Sequence, residues 1–130
     1  MLGVPDDTLD PCSVRSGVLQ ARKVMNRILT VIGTRPEAIK MAPVIHGLRQ
    51  AGLDTLVLGT AQHRELLDQM LGCFGITLDF DLDAMRPDQT PSDLVGLVVP
   101  ALSRIIAETR PALVMAQGDT VTVLGAALAA

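Results

Sequence analysis

ILTVIGTRPEAIK, residues Ile28–Lys40, decides how the rest of the chain is read. An apolar, β-branched run from Ile28 to Ile32 halts at Gly33, a polar pair Thr34-Arg35 follows, and Pro36 opens a segment of helical apolar spacing. The pattern predicts a strand, a tight turn and a helix start. In a parallel α/β sheet such a corner lies at the carboxyl end of a strand, where ligands bind. It brings Arg35, Lys40 and helix N-terminal N–H groups together, a combination that suits an anion.

Working outward, the first strand is expected at Arg27–Ile32. It is apolar at successive positions, as when helices cover both faces of a sheet. Pro36–Gln50 carries apolar residues at 38, 41, 42, 45 and 48, a helical period. Pro43 should kink that helix, and Gly52 should end it. Leu53–Thr60 reads as a second strand. A second helix then runs from about Arg64 to Phe74, with Leu66, Leu67, Met70, Leu71 and Phe74 on one face and Gly75 as the stop. Ile76, Leu78, Phe80 and Leu82 alternate with Thr77, Asp79, Asp81 and Asp83, which predicts a short half-exposed strand with an acidic outer side.

Beyond a turn-rich loop at Arg86–Pro91, Ser92–Thr109 gives an amphipathic helix. Leu94, Leu97, Val98, Ala101, Leu102 and Ile105 form its apolar face, Ser92 its N-cap, and Pro100 a bend. Ala112–Ala116 reads as a buried strand. Val121–Ala130 begins a further apolar helix through Leu124 and Leu128, and the sequence reads as cut within that element. Residues 1–24 show no period and are interrupted by Pro5, Pro11 and Gly17. They are expected to form a disordered extension, with Met25 a plausible start. The alternation β-α-β-α-(β)-α-β-α predicts a parallel, doubly wound α/β sheet.

The composition narrows the function classes. With 130 residues the chain makes one domain at most. Its 48% hydrophobic and 19% charged residues are enough to build a core. There is no Trp or Tyr, only Phe74 and Phe80, so the core is aliphatic and base-stacking platforms are missing. A net charge of −3 and a pI of about 5.2, with no basic run, give no support to a nucleic-acid or anionic-membrane partner. Cys12 and Cys73 form no C-x-x-C pair, and His46 and His63 have no ligand spacing, so neither a metal nor a cofactor is expected. Cys73 is expected buried in an apolar helix face, in a reducing, cytoplasmic setting. No apolar run reaches the roughly 18 residues of a membrane span. Asp6, Asp7 and Asp10 stand where a signal peptide would need basic and apolar residues.

Three strand-end corners hold polar residues that a core does not need: Gly33-Thr34-Arg35, Gln62-His63-Arg64 and Gln117-Gly118-Asp119-Thr120. Parallel strands put all three on one sheet edge. The first suits a diphosphate, with Gly33 allowing close backbone approach, Arg35 offering forked donors and Lys40 returning from the first helical turn. Alternatively, Arg35 and Lys40 simply solvate a helix. The loop is neither G-x-G-x-x-G nor a Walker A. Gln62 and His63 fit a helix start with an exposed imidazole. Asp119 fits either the N-cap of the last helix or a carboxylate that binds a sugar hydroxyl or moves a proton. Glu37 falls in a helix first turn, where the dipole favours it, and reads as structural.

The ordered stretches VIGTRPEAIKMAPVI (Val31–Ile45), TAQHRELLDQML (Thr60–Leu71), DFDLDAM (Asp79–Met85) and QGDT (Gln117–Thr120) resemble the non-hydrolysing UDP-N-acetylglucosamine 2-epimerases from about Met25 to Ala130. The resemblance implies a cytoplasmic isomerase of nucleotide-sugar metabolism supplying cell-envelope polysaccharides. It has two facing Rossmann-like domains in a GT-B-like architecture and usually dimerises. UDP-GlcNAc and UDP-ManNAc interconvert in the cleft by loss of the C2 proton and UDP, then re-addition of UDP. By the same resemblance, Gly33, Arg35 and Lys40 belong to the UDP cradle and Asp119 to the reacting sugar, for binding and acid/base work. Gln62 and His63 match a motif near a second, activating UDP-GlcNAc. Residues 25–130 are then part of the N-terminal domain, the remaining acid/base residues and the C-terminal domain are missing, and no turnover is expected from the chain alone. A GT-B glycosyltransferase piece and a non-enzymatic remnant that at most binds UDP-sugar are the rival readings.

Overall fold

The computed structural model describes residues 26–60 and 64–130. The proposed extension at 1–24 therefore lies outside the described residues, as do Gln62 and His63. Within them the order is β1 (Arg27–Ile32), α1 (Arg35–Gln50), β2 (Asp54–Gly59), α2 (Arg64–Cys73), β3 (Phe80–Asp81), α3 (Pro91–Thr109), β4 (Leu113–Ala116) and α4 (Val121–Ala129). The strands form one sheet in the order β3-β2-β1-β4, with all three pairings parallel. The doubly wound α/β reading of the sequence is what the chain adopts.

Both faces of the sheet are covered, which explains the unbroken apolar run of β1. Leu29 and Val31 face one side, with Leu58, Leu94, Val98, Leu102, Ile105 and Ala126, a layer built by α3 and α4. Ile32 and Val57 face the other, with Ala38, Met41, Ala42, Ile45, Leu67 and Leu71 from α1 and α2. At the opposite edge from the corners, Arg27 Nε meets Asp54 Oδ2 at 2.8 Å and its Nη1 donates to the Thr109 carbonyl at 2.9 Å. This ties the starts of β1 and β2 to the end of α3.

Several local expectations shift. Helices α1 and α3 run through Pro43 and Pro100 without a break. The cap of α3 is Thr90, not Ser92. Its hydroxyl accepts from the Asp93 N–H at 3.2 Å, and Asp93 Oδ2 accepts from the Thr90 N–H at 2.9 Å. Pro91 then takes the first helical turn, which places Ser92 inside the helix. Cys73 is exposed rather than buried. Helix α2 turns Leu67 and Leu71 inward, and a residue two places after Leu71 lies about 200° further round. Leu66, likewise expected inward, is 47% exposed.

The acidic arm alternates as expected from Ile76 to Asp83, but only Phe80–Asp81 forms a strand. Asp79 substitutes for the missing ladder: its N–H donates to the Val57 carbonyl at 2.8 Å, and its carboxylate accepts from the Val57 N–H at 2.8 Å. Strand β4 is half-exposed, with Leu113 51% exposed, because it lies at the sheet edge. Helix α4 buries Thr122, Gly125 and Ala126 and leaves Leu124 and Leu128 exposed. The inward stripe is small because α4 approaches α3 closely: a Cβ on Gly125 would stand 2.7 Å from Val98 Cγ1.

Two outcomes follow from this packing. Gly125→Ala should lower the urea-denaturation free energy by about 1–3 kcal/mol through overpacking, whereas Leu124→Ala should stay within about 0.5 kcal/mol. Equal effects would contradict the small-residue contact. The Thr90 hydroxyl and backbone N–H hold the Asp93 carboxyl below the ordinary carboxylate range. The contribution of this cap is therefore present above the ordinary value and is lost as pH falls through the lowered one. In Thr90→Ala, an NMR titration of Asp93 should show its midpoint move upward.

Candidate functional site

Strand order reverses at β1: β2 and β3 continue to one side of it, and β4 lies on the other. At the carboxyl ends of β1 and β4 the sheet therefore opens a crevice, the place where ligands bind in open α/β sheets. A cavity of about 330 Å³ occupies this point, lined by Thr34, Pro36, Glu37, Lys40, Gln117, Gly118, Asp119 and Thr120. The first and third polar corners of the sequence thus share one wall.

Each side chain is there for a local reason. β1 ends at Ile32, and Thr34 adopts an extended cap conformation (φ −131°, ψ 162°) before α1 begins at Arg35. Pro36 suits this first turn, where an N–H has no intrahelical partner. Lys40 follows on the same helix, exposed and lining the cavity, while Asp119 is exposed on the loop opposite. Among the described residues, no salt bridge joins the two. Arg35 is exposed at the head of α1 and lies outside the residues lining the cavity.

Glu37 holds the wall together. It is only 3% exposed and accepts three hydrogen bonds: from the Gly33 N–H at 2.6 Å, the Thr34 N–H at 3.1 Å and the Thr120 hydroxyl at 2.7 Å. The Gly33 and Thr34 amides, just before the helix start that the sequence offered to an anion, are therefore already taken by a carboxylate. The Thr34-x-x-Glu37 spacing of a capping box was visible in the sequence; the cross-link to Thr120 was not. Thr120 is also the N-cap of α4, which corrects the alternative reading of Asp119 in that role. Asp119 is left exposed at the edge of the crevice rather than spent on a helix end.

Gly33 is buried beneath the cavity. A Cβ there would stand 2.2 Å from Thr122 Oγ1 and 2.8 Å from Thr60 Oγ1, two buried hydroxyls that share a hydrogen bond of 2.7 Å. The structure requires glycine here because β1, the end of β2 and the first turn of α4 meet at this point. Gln117 adds an acceptor that the sequence reading did not single out. Its Oε1 is buried and has no hydrogen-bond partner among the described residues. No group of three or more metal-ligating side chains occurs among those residues, and no helix there is long and apolar enough to cross a membrane.

The family model described as UDP-N-acetylglucosamine 2-epimerase matches residues 46–130. A curated UDP-N-acetylglucosamine 2-epimerase from Yersinia pestis is 47% identical over 104 residues, which are 79% of this chain and 28% of that protein. The crystal structure of UDP-GlcNAc 2-epimerase from Neisseria meningitidis bound to UDP-GlcNAc matches with a TM-score of 0.73 and 44% identity, over 79% of this chain and 28% of that one. A Methanocaldococcus jannaschii UDP-GlcNAc 2-epimerase in complex with UDP-GlcNAc and UDP is 26% identical and keeps a TM-score of 0.74, over 79% and 29%. This chain spans little more than a quarter of the length of the relatives it matches.

The close approach at Gly33 makes a specific demand. Gly33→Ala should force the Thr60–Thr122 pair apart and lower stability by about 2–5 kcal/mol, combining overpacking with loss of a buried hydrogen bond. Adding Thr122→Ala, which vacates that space, should recover part of the loss. Additive urea-denaturation effects in the double variant would overturn this account of Gly33.

Proposed function

The chain belongs to the UDP-N-acetylglucosamine 2-epimerase family, and from that premise we propose that its crevice forms one wall of a site for UDP-GlcNAc and UDP-ManNAc. The observation that carries this reading is the cavity at the switch point, which both Lys40 and Asp119 line. In the proposed reaction the C2 proton of the sugar is removed and the C1–O bond to UDP breaks. This gives UDP and a glycal; the diphosphate oxygen then re-adds at C1 and a proton returns to the other face of C2. Lys40, with Arg35 at the head of the same helix, compensates the charge of the leaving diphosphate. Asp119 faces the sugar as a hydroxyl acceptor and acid/base group. No cofactor is needed for this elimination and re-addition.

Charge on the wall itself sets the limit of the 130 residues. Its lining carries two carboxylates, Glu37 and Asp119, against one ammonium, Lys40. A diphosphate there needs Arg35 and further positive charge from a facing surface. We assign residues 25–130 to the N-terminal Rossmann-like domain of a two-domain, GT-B-like enzyme whose second domain completes the cleft, with a homodimer as its working form. Gln62 and His63 are proposed for a second UDP-GlcNAc site, and a cytoplasmic location fits a nucleotide-sugar substrate. Epimerisation by these residues alone is not expected, because they span little more than a quarter of the relatives' length and acid/base groups that act as a unit do little singly.

A ¹⁵N-NMR titration with UDP tests the assignment. Weak, saturable shifts should appear at Thr34, Lys40, Gly118, Asp119 and Thr120. Lys40→Ala should weaken the affinity about five- to tenfold, the scale of one charge-assisted contact that is partly solvated. Shifts centred elsewhere, or an affinity indifferent to Lys40, would sink the proposal.

A further inference from the structure

We infer that Glu37 is the positioning residue of this site: by bridging the two strand-end corners it sets where the Asp119 carboxylate stands relative to Lys40. The inference rests on the nucleotide-sugar reading for its ligand, but its geometry does not. One oxygen of the carboxylate, Oε2, is held by two consecutive backbone N–H groups, at Gly33 and Thr34. The other, Oε1, takes the Thr120 hydroxyl, 83 residues away in sequence. Both anchor points flank the functional groups. Glu37 comes about one turn before Lys40 on α1, Thr34 caps that helix, and Thr120 directly follows Asp119.

The loop is shaped to this carboxylate. Gly118 has φ +128°, a conformation open to glycine, and a Cβ there would stand 3.0 Å from Glu37 Oε1. The backbone before Asp119 therefore lies directly against the carboxylate, and Thr120 after it is hydrogen-bonded to it. Asp119 is gripped from both sides, although its own side chain makes no hydrogen bond or salt bridge among the described residues. Glu37 lines the cavity yet is nearly buried, with three donors already satisfied. That places it behind the reacting groups and not among them.

Glutamine at position 37 can keep the bridge. Its amide oxygen accepts from Gly33 and Thr34, and its amide nitrogen donates to the Thr120 oxygen. Alanine removes the bridge, and Thr120→Val removes only its far end. The test compares the ¹⁵N-labelled chain with Glu37→Ala, Glu37→Gln and Thr120→Val by NMR, first without ligand and then with UDP.

Without ligand, Glu37→Ala and Thr120→Val should both displace the Gly118, Asp119 and Thr120 amide resonances, and Glu37→Gln should restore them. With UDP, the two disruptive variants should bind about ten- to a hundredfold more weakly, the range for losing a hydrogen bond to a charged group. If Glu37→Ala does not fold, Thr120→Val against Glu37→Gln still makes the comparison. Loop resonances that superimpose on wild type in Thr120→Val would overturn the inference. So would a displacement spread evenly over the whole sheet, which marks a merely structural carboxylate. A chain that shows the loop effects but no response to UDP would refute the nucleotide-sugar reading while supporting the bridge.

Discussion

A carboxylate removed from water is costly unless hydrogen bonds replace its hydration. Glu37 meets that condition with two amides from its own corner and a hydroxyl from the last corner. Because its partners come from β1–α1 and from β4–α4, the group is satisfied only when β4 has paired with β1 in register. The Ile28–Leu113 to Val31–Ala116 pairing supplies that register, and a one-residue slip would carry Thr120 away from the carboxylate. The site and the sheet therefore form together.

The same contact redefines the anion-binding potential of the corner. A helix start with free amides attracts phosphate through its N–H groups and dipole. Here the two amides preceding the helix already point at an anion belonging to the chain. What remains for a ligand is side-chain charge, at Lys40 and Arg35, in a crevice that also displays Asp119. Such a wall orients a ligand more than it attracts an anion.

How far the sequence could be read depended on the distance over which each residue acts. β1 and α1 were legible because a strand buried on both faces and a helix with proline in its first turn are local patterns. The parallel order followed from strand–helix alternation, and with it the convergence of the first and third corners. Leu66, Leu97, Leu124 and Leu128 misled the helix faces, because hydrophobicity alone does not say which side meets a neighbour; all but Leu128 are about half exposed. On α4 the decisive residues were the small ones, Gly125 and Ala126, chosen by the closeness of Val98. Glu37 was placed correctly in a first turn as a structural residue, but its capping box with Thr34 went unread. Its bond to Thr120 joins residues 83 positions apart and has no signature in either stretch.

Gly33 shows the same division within one residue. As the stop of a β-branched run it announced the corner, and its lack of a side chain suggested room for a ligand. The space is instead occupied from below by Thr122 and Thr60, whose hydroxyls bond each other against it. Substituting it would disturb the end of β2 and the start of α4 before it reached any ligand. Two layers of polar contacts thus lie beneath the crevice: the threonine pair under Gly33, and the Glu37 bridge above it. Neither uses Lys40 or Asp119. The residues that fix the wall are separate from those presented to the ligand, and this leaves the exposed ammonium and carboxylate available for chemistry on a backbone already held in place.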